Sequence, residues 1–510
     1  LDGNNQETNE DDHMNIRHRQ FISSNLAAVV GLAAVVCAQP AIGTGANRPV
    51  EWPATPAGRC AKVFFEALNT EGEDALQRFV AQYYSDESAR AEELASHLQL
   101  RKLAGNLKPH SARSDGDFAI DILAQSRLFG WVKFRIELSS EPPHDVTAMA
   151  ARPGSPPEAE GPGDYSGWKD LQDLIDRVRR DCGAPGMVAA VVRGGKIIEK
   201  AATGVRRADQ PGKVHVEDLF HIGSVGKVLT GIMIGKLLES EVLQWDLTIA
   251  GALPDLPMKQ AYRTVTLEQL LSHRGGVPSL PSTGAFKDGF PADSGRPPAE
   301  ARAALVRQVL MEEPVAIGEY SYSNAGYVVA AYMVEGTVKQ YWEESMHTLV
   351  VDPLELRSTG FGWPATKERP DQPHGHYGTP PDLRVQEIGE SMLGDLDYIG
   401  PAGNLHCSID DLARLAAFYL RVLNDQEWTL KADTVPRFWR PGKTEDGAPM
   451  YGFFGSGGTF MAMITVYPDN DLAVVAATNI GLPALPYFKG MRDAVYRKLA
   501  CPSATQHTDH

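Results

Sequence analysis

The sequence predicts two folded units: a small α+β unit, and a larger α/β unit in which an antiparallel sheet flanked by helices encloses a mostly helical middle. Three observations carry this. Helical periodicity gives way to strand alternation within residues 56–152, a Pro/Gly-rich stretch follows at 153–164, and apolar strand pairs then stand near both ends of residues 165–505. At 510 residues with 43% hydrophobic content the chain is too long for one ordinary small domain and can bury a sizeable core.

Taken in order, residues 1–38 read as upstream sequence and a secretory signal peptide. Arg17, His18 and Arg19 precede an apolar run over 26–38 that ends in Val36-Cys37-Ala38, the basic, apolar and small order of an export signal. Met14 is the expected initiator. The run is too short to span a bilayer comfortably, so no membrane span is expected in the mature chain, and the protein is expected to be exported, periplasmic or secreted.

Residues 59–103 read as helical, with Val63, Phe64 and Leu68 and then Leu76, Phe79 and Val80 on apolar faces. Phe118, Ile120 and Ile122, then Val132, Phe134, Ile136 and Leu138, alternate with polar neighbours as half-buried strands do. This pattern resembles the small cone-shaped modules of the nuclear-transport-factor-like group. Its expected part is scaffolding or dimerisation, which makes a homodimer possible. The stretch from Pro153-Gly154-Ser155-Pro156-Pro157 to Gly163 cannot bury a core and reads as a linker.

The second unit opens with an amphipathic helix over 168–180 and a strand, Gly194-Gly195 turn and strand over 187–202. It closes with an apolar hairpin, 462–467 and 472–477, around Pro468-Asp469-Asn470-Asp471, and a final helix over 485–499. Strands at both ends imply one sheet assembled from the two termini of the unit.

Asp and Glu number 65 against 49 Lys and Arg, and a formal charge of −16 repels phosphate backbones, so nucleic acid is not an expected partner. Cys37 would leave with the signal. Of Cys60, Cys182, Cys407 and Cys501, an exported chain could pair Cys182 with Cys501, which end the predicted terminal helices; the spacings offer no zinc pattern.

The chemistry concentrates at Ser224-Val225-Gly226-Lys227, at the start of an apolar helical run over 228–238, and at Tyr322-Ser323-Asn324. A serine hydroxyl needs a base within hydrogen-bond reach. Lys227, one helical turn on, projects from the face that carries Ser224, and the surrounding Ile222, Val225, Val228 and Leu229 supply the dry setting that lowers an amine pKa. The helix N-terminus and its N–H groups favour a developing oxyanion near Ser224. Ser166-Gly167-Trp168-Lys169 has the same spacing but borders the linker and lacks a following apolar helix. No Gly-x-Ser-x-Gly elbow is present, since Ile222 occupies the place of its first glycine.

With Ser224-x-x-Lys227 and Tyr322-Ser323-Asn324 in that order, residues 165–499 resemble the serine β-lactamase and penicillin-binding-protein superfamily, most closely class C-like enzymes and family VIII carboxylesterases. The segments Thr266-Leu267-Glu268-Gln269-Leu270-Leu271-Ser272-His273-Arg274-Gly275-Gly276 and Gly400-Pro401-Ala402-Gly403-Asn404-Leu405 agree with it. The resemblance implies a β-lactamase-like fold with the site between an all-helical lobe and a five-stranded sheet lobe. It implies Ser224 as the acylated nucleophile, Lys227 as its partner in proton transfer, Tyr322 as phenolate-like base or proton shuttle, and Asn324 as the holder of a substrate polar group. No cofactor is implied.

The family's third element is a strand motif with a cation. Two registers are open here, Phe453-Phe454-Gly455 and Gly455-Ser456-Gly457, and neither offers one. Gly455 and Ser456 are the substrate-binding candidates, with the Ser456 N–H as a second oxyanion donor. A wall without a cation suits neutral esters better than β-lactams. The expected function is an exported serine hydrolase acting on a small-molecule ester or activated amide. The alternatives are a β-lactamase or D-stereospecific peptidase, and a catalytically silent binding module of the same fold.

His273 reads as a structural turn residue. His374 and His376 sit in a Pro/Gly-rich loop without the carboxylates of a metal site, and His376 is placed at the cleft lining. Residues 279–300, with four prolines including Pro281 and Pro291, read as a long surface loop able to cover the site.

Overall fold

The computed structural model describes residues 50–500 apart from 105–106, 127–129, 154–162, 164, 282–290, 292–294, 381, 392–393 and 428. The expected signal peptide, nearly all of the linker, most of the covering loop and Cys501 lie outside the described residues.

The chain divides into two compact units. In the first, helices α1 (Pro56–Leu68), α2 (Asp74–Tyr83) and α3 (Glu87–Ala104) precede a four-stranded antiparallel meander of β1 (Leu107–Ser114), β2 (Ala119–Ser126), β3 (Gly130–Leu138) and β4 (Val146–Pro153). Thr55 starts α1 by accepting the Gly58 N–H on its hydroxyl, with Pro56 preset for the first turn. Strand β2 alternates buried and half-buried along its whole length, so its inner residues Ile120, Ile122 and Ala124 meet Phe64, Phe65 and Phe79 of the helices in one core.

In the second unit α4 (Leu171–Cys182) is opened by Asp170, whose carboxylate accepts the Asp173 N–H, and closed by Gly183 at φ 65°. Strands β5 (Gly186–Arg193) and β6 (Lys196–Gly204) lead to the central helix α5 (Gly226–Glu239), which is buried on nearly every face. Helices α6 (Pro298–Val309), α7 (Asn324–Val338) and α8 (Ile409–Leu423) follow, then β7 (Gly442–Lys443), β8 (Pro449–Ser456), β9 (Met461–Tyr467), β10 (Leu472–Thr478) and α9 (Leu485–Leu499).

The sheet order β7-β8-β9-β10-β5-β6 joins the first strands of the unit to the last, with antiparallel pairs throughout. It has six strands where the resemblance implied five; the sixth, β7, is a two-residue edge too short to leave a pattern. β9 and β10 are buried along their whole length because the sheet is covered on both faces. Val188, Ala190 and Val192 of β5 face one core with α5 and α8, while Met187, Ala189 and Val191 face another with α4 and α9. Cys182 is a free thiol whose Sγ–H points to the Arg179 carbonyl, and Cys60 and Cys407 are likewise free and buried.

A three-stranded ribbon at the base of the helical part pairs Phe220–His221, Leu405–Cys407 and Gly360–Phe361. Behind it lies a fully buried cation: Arg302 of α6 donates to Glu335 at 3.1 Å from Nε and to Glu343 at 2.7 Å from Nη1. Glu335 also accepts the Trp342 N–H, and the Trp342 indole N–H reaches Thr230 of α5, whose hydroxyl donates to the Pro401 carbonyl at 2.8 Å. Arg302→Ala would leave two carboxylates facing one another without their cation, and a loss of about 3–5 kcal/mol in chemical denaturation is expected. A change below about 1 kcal/mol would contradict that reading of the triad.

Candidate active site

Gly223 makes the turn on which the site depends. The ribbon strand ending at His221 delivers the chain to Ile222, whose N–H donates to the Leu405 carbonyl at 2.9 Å, and Gly223 then adopts φ 49°. Only a residue without Cβ fits there: an added Cβ would stand 2.4 Å from Ser456 N. Ser224 sits in the single 3-10 turn over Gly223–Val225 that runs into α5, and 7% of its surface remains exposed. Lys227 follows in the first turn of α5 with no exposure at all.

Three segments distant in sequence meet at the Lys227 amine. Its Nζ lies 3.1 Å from Ser224 Oγ, 2.7 Å from Asn324 Oδ1 and 2.7 Å from the Ala402 carbonyl. Tyr322 Oη donates to the same serine oxygen at 2.8 Å. Burial holds the Lys227 pKa well below its ordinary 10.5. Burial also holds the Tyr322 phenol above 10, against the opposing pull of its hydrogen bond to Ser224. Both directions disfavour charge.

Tyr322 is held from behind. Ser323 caps α7, its hydroxyl accepting the Gly326 N–H at 2.8 Å, which fixes the extended residue before the helix. The His273 ring lies 4.5 Å from the Tyr322 ring, and His273 Nδ1 accepts the Ser323 N–H at 3.1 Å. Burial lowers the His273 pKa to about 3, so the ring is neutral. His273 occupies a left-handed turn at φ 58°, and its structural reading agrees with this, although its bracing of Tyr322 had no signal in the sequence.

On the opposite wall β8 passes so close to the turn at Ser224 that a Cβ on Gly455 would stand 2.1 Å from the Ile222 carbonyl oxygen and 2.7 Å from Ser224 N. Phe453 joins the core of the helical side and stacks edge-on to Trp439 at 6.3 Å, whereas Phe454 turns to the other face beneath Arg492. The alternation along β8 therefore sets Phe453 on the face where the family cation was sought. Ser456 ends β8 beside Gly223.

Other candidates lie elsewhere. Ser166 and Lys169 are both exposed at the start of α4, so the second Ser-x-x-Lys has no pocket. His376 does not line a cleft: it is buried, accepts the Ala208 N–H on Nε2 and donates from Nδ1 to the Asn479 carbonyl. His374 is buried as well, with Nδ1 at 3.0 Å from the Gln386 carbonyl. Among the described residues no cluster of His, Cys, Asp or Glu could hold a metal, and no helix is long and apolar enough to cross a membrane.

Residues 171–493 match the family model described as Beta-lactamase. The chain is similar to penicillin-binding protein 4 of Amycolatopsis lactamdurans, with 26% identity over 356 residues that cover 63% of this chain and 87% of that protein. It is also similar to the teichoic acid D-alanine hydrolase of Staphylococcus aureus, with 24% identity over 306 residues, 57% of this chain and 69% of the other. Among solved structures, EstCE1, a hydrolase with promiscuous acyltransferase activity, superposes at a TM-score of 0.51 with 19% identity, covering 63% of this chain and 97% of that one. That likeness speaks for the fold alone.

The close approach of β8 generates a direct expectation. Gly455→Ala must push the strand and the turn at Ser224 apart, and a fall of about 10²-fold or more in hydrolytic rate is expected with a folded protein by circular dichroism. An unchanged rate would mean that this contact does not set the site.

Proposed function

The chain belongs to the beta-lactamase family, and on that footing we propose that it is an exported serine hydrolase that cleaves neutral esters through an acyl-enzyme on Ser224. The observation that carries the reading is the double approach to one oxygen, Lys227 Nζ at 3.1 Å and Tyr322 Oη at 2.8 Å from Ser224 Oγ.

The pKa directions support one resting proton arrangement. A neutral Lys227 donates to Asn324 Oδ1 and the Ala402 carbonyl and accepts the Ser224 hydroxyl proton, while Tyr322 donates to the serine's lone pair; every partner is satisfied without a buried charge. In acylation Ser224 Oγ bonds to the ester carbonyl carbon and its proton passes to Lys227. The bond to the alcohol breaks, and the departing oxygen takes the Tyr322 proton. Lys227 ammonium and Tyr322 phenolate remain, and each makes the other's charge tolerable across the short gap that places Nζ 4.9 Å from the ring centre.

Deacylation runs the same protons back. Water gives a proton to the Tyr322 phenolate as its oxygen attacks the acyl carbon, and Ser224 Oγ leaves with the Lys227 proton. The acid is released and the neutral pair restored. The N–H groups of Ser224 and Ser456, which flank the turn at Gly223, are the donors proposed for the oxyanion, and the Asn324 amide the group for a substrate carbonyl. The aromatic Phe453 in place of a cation supports an uncharged acyl group. The likeness to a teichoic acid D-alanine hydrolase is in keeping with hydrolysis, and that to penicillin-binding protein 4 favours a second reading as a β-lactamase or D-stereospecific peptidase. Export rests on the basic-apolar-small order of residues 15–38.

Ser224→Ala is expected to abolish hydrolysis of a short-chain nitrophenyl ester without unfolding the protein, and Lys227→Ala and Tyr322→Phe each to cost about 10²-fold or more. Full rate in Tyr322→Phe would remove Tyr322 from the mechanism, and a preference for nitrocefin over the ester would transfer the assignment to the second reading.

Because acylation uses the unprotonated amine, kcat/KM is expected to fall as pH drops through a Lys227 pKa well below 10.5, and to fall again only above 10, where Tyr322 loses its proton. A rate that instead rises only as pH passes the ordinary lysine value would contradict the neutral amine.

A further inference from the structure

A second chain of hydrogen bonds, on the side of the nucleophile turn away from Lys227, has no part in the scheme above. The Gly223 N–H points at His221 Nδ1, 3.2 Å away. A backbone N–H can only donate, so Nδ1 is the acceptor and the ring proton sits on Nε2. Nε2 stands 3.2 Å from Asn404 Oδ1, which obliges the Asn404 amide nitrogen to face outward, and it donates to Asp397 Oδ1 at 2.8 Å. His221 is 0% and Asn404 4% exposed, and Asp397 is half-buried.

The direction of every bond is fixed by two groups that can only donate, the Gly223 N–H and the Asn404 amide nitrogen. The ring is fixed as well. Trp363 stacks on it at 4.6 Å, Phe460 lies 6.4 Å away, and the neighbouring strand carries His406, which is paired with Arg369. Asn404 comes from the turn that also supplies Gly403, where a Cβ would stand 2.9 Å from Ser224 N. The peptide between Gly223 and Ser224 is thus gripped from one side by Gly455 and from the other by Gly403, and its preceding N–H is anchored by His221.

We propose that His221, Asn404 and Asp397 form a positioning relay that locks the left-handed turn at Gly223 and so aims the Ser224 hydroxyl and backbone N–H. None of the three touches Ser224 Oγ, Lys227 or Tyr322 through a hydrogen bond. Their effect is on the geometry of the turn, and a shift of the nucleophile by a fraction of an ångström to an ångström is enough to cost one to two orders of magnitude in rate. The inference rests on Ser224 being the nucleophile. Labelling of Ser224 in the unaltered protein by a fluorophosphonate tests that point separately.

The relay makes an unequal demand on the two ring nitrogens, and two amide side chains separate them. Asn carries an oxygen near the position of Nδ1, and Gln a polar atom near that of Nε2. His221→Asn keeps an acceptor for the Gly223 N–H and is expected to retain kcat for a nitrophenyl ester within about threefold. His221→Gln keeps the link to Asn404 but leaves the Gly223 N–H unanswered, and a drop in kcat of about tenfold or more with KM unchanged is expected. A merely structural histidine would lower thermal stability in both variants and leave kcat of the folded fraction, counted by fluorophosphonate titration, at the wild-type value. That result overturns the relay, as does equal kcat loss in the two variants. Should either fail to fold, Asp397→Asn decides: a fall in kcat of about threefold or more at unchanged KM supports the relay, and an unchanged kcat removes it.

Discussion

Everything at the site depends on one buried amine finding three oxygen partners. Lys227 Nζ has no solvent, and the Ser224 hydroxyl, the Asn324 amide and the Ala402 carbonyl come from the start of α5, the start of α7 and the turn before the ribbon strand Leu405–Cys407. A lysine ammonium stripped of water costs several kcal/mol even after relaxation, whereas a neutral amine with two carbonyl acceptors and one hydroxyl donor leaves nothing unsatisfied. Burial accordingly lowers the Lys227 pKa well below 10.5, which is the direction the proposed transfer of the serine proton requires.

The surrounding structure can be read as support for that geometry. The Ala402 carbonyl is held in line by the adjacent Pro401, which Thr230 bonds, and Thr230 is in turn bonded by Trp342 and so linked to the Arg302 triad. Tyr322 is pinned between the cap of α7 and the His273 ring. The turn at Gly223 is confined by Gly403 and Gly455, two positions where even one methyl group has no room. A rigid backbone serves the proposed chemistry, since proton transfers between atoms about 3 Å apart tolerate little displacement.

Much of this was legible in the sequence, for identifiable reasons. The three-residue spacing of Ser224 and Lys227 works because a helix brings such residues to one face, and the apolar run after them announced burial. The strands β5, β9 and β10 were legible as apolar runs between turns, and their two-sided burial explains why those runs scarcely alternate. Family membership and the fold agree with what the motifs implied.

What stayed hidden is long-range or backbone-borne. The Ala402 carbonyl has no side-chain signature. His221 and Asn404 are 183 positions apart and meet only because Leu405–Cys407 pairs with Phe220–His221. What Gly455 packs against had no signal in the sequence. His376 was misplaced because a histidine in a Pro/Gly-rich loop looks exposed, while here the loop folds inward and its ring ties two backbone segments together.

The protonation state of Lys227 tests the account most directly. With lysine labelled by nitrogen-15 at Nζ, and the Lys227 resonance assigned by its loss in Lys227→Met, the resting protein near neutral pH should show a neutral amine, with no tyrosinate absorption that Tyr322→Phe removes. An ammonium nitrogen at Lys227 accompanied by a tyrosinate band from Tyr322 would contradict it, because the proton acceptor in the first step would then be the phenolate and not the amine.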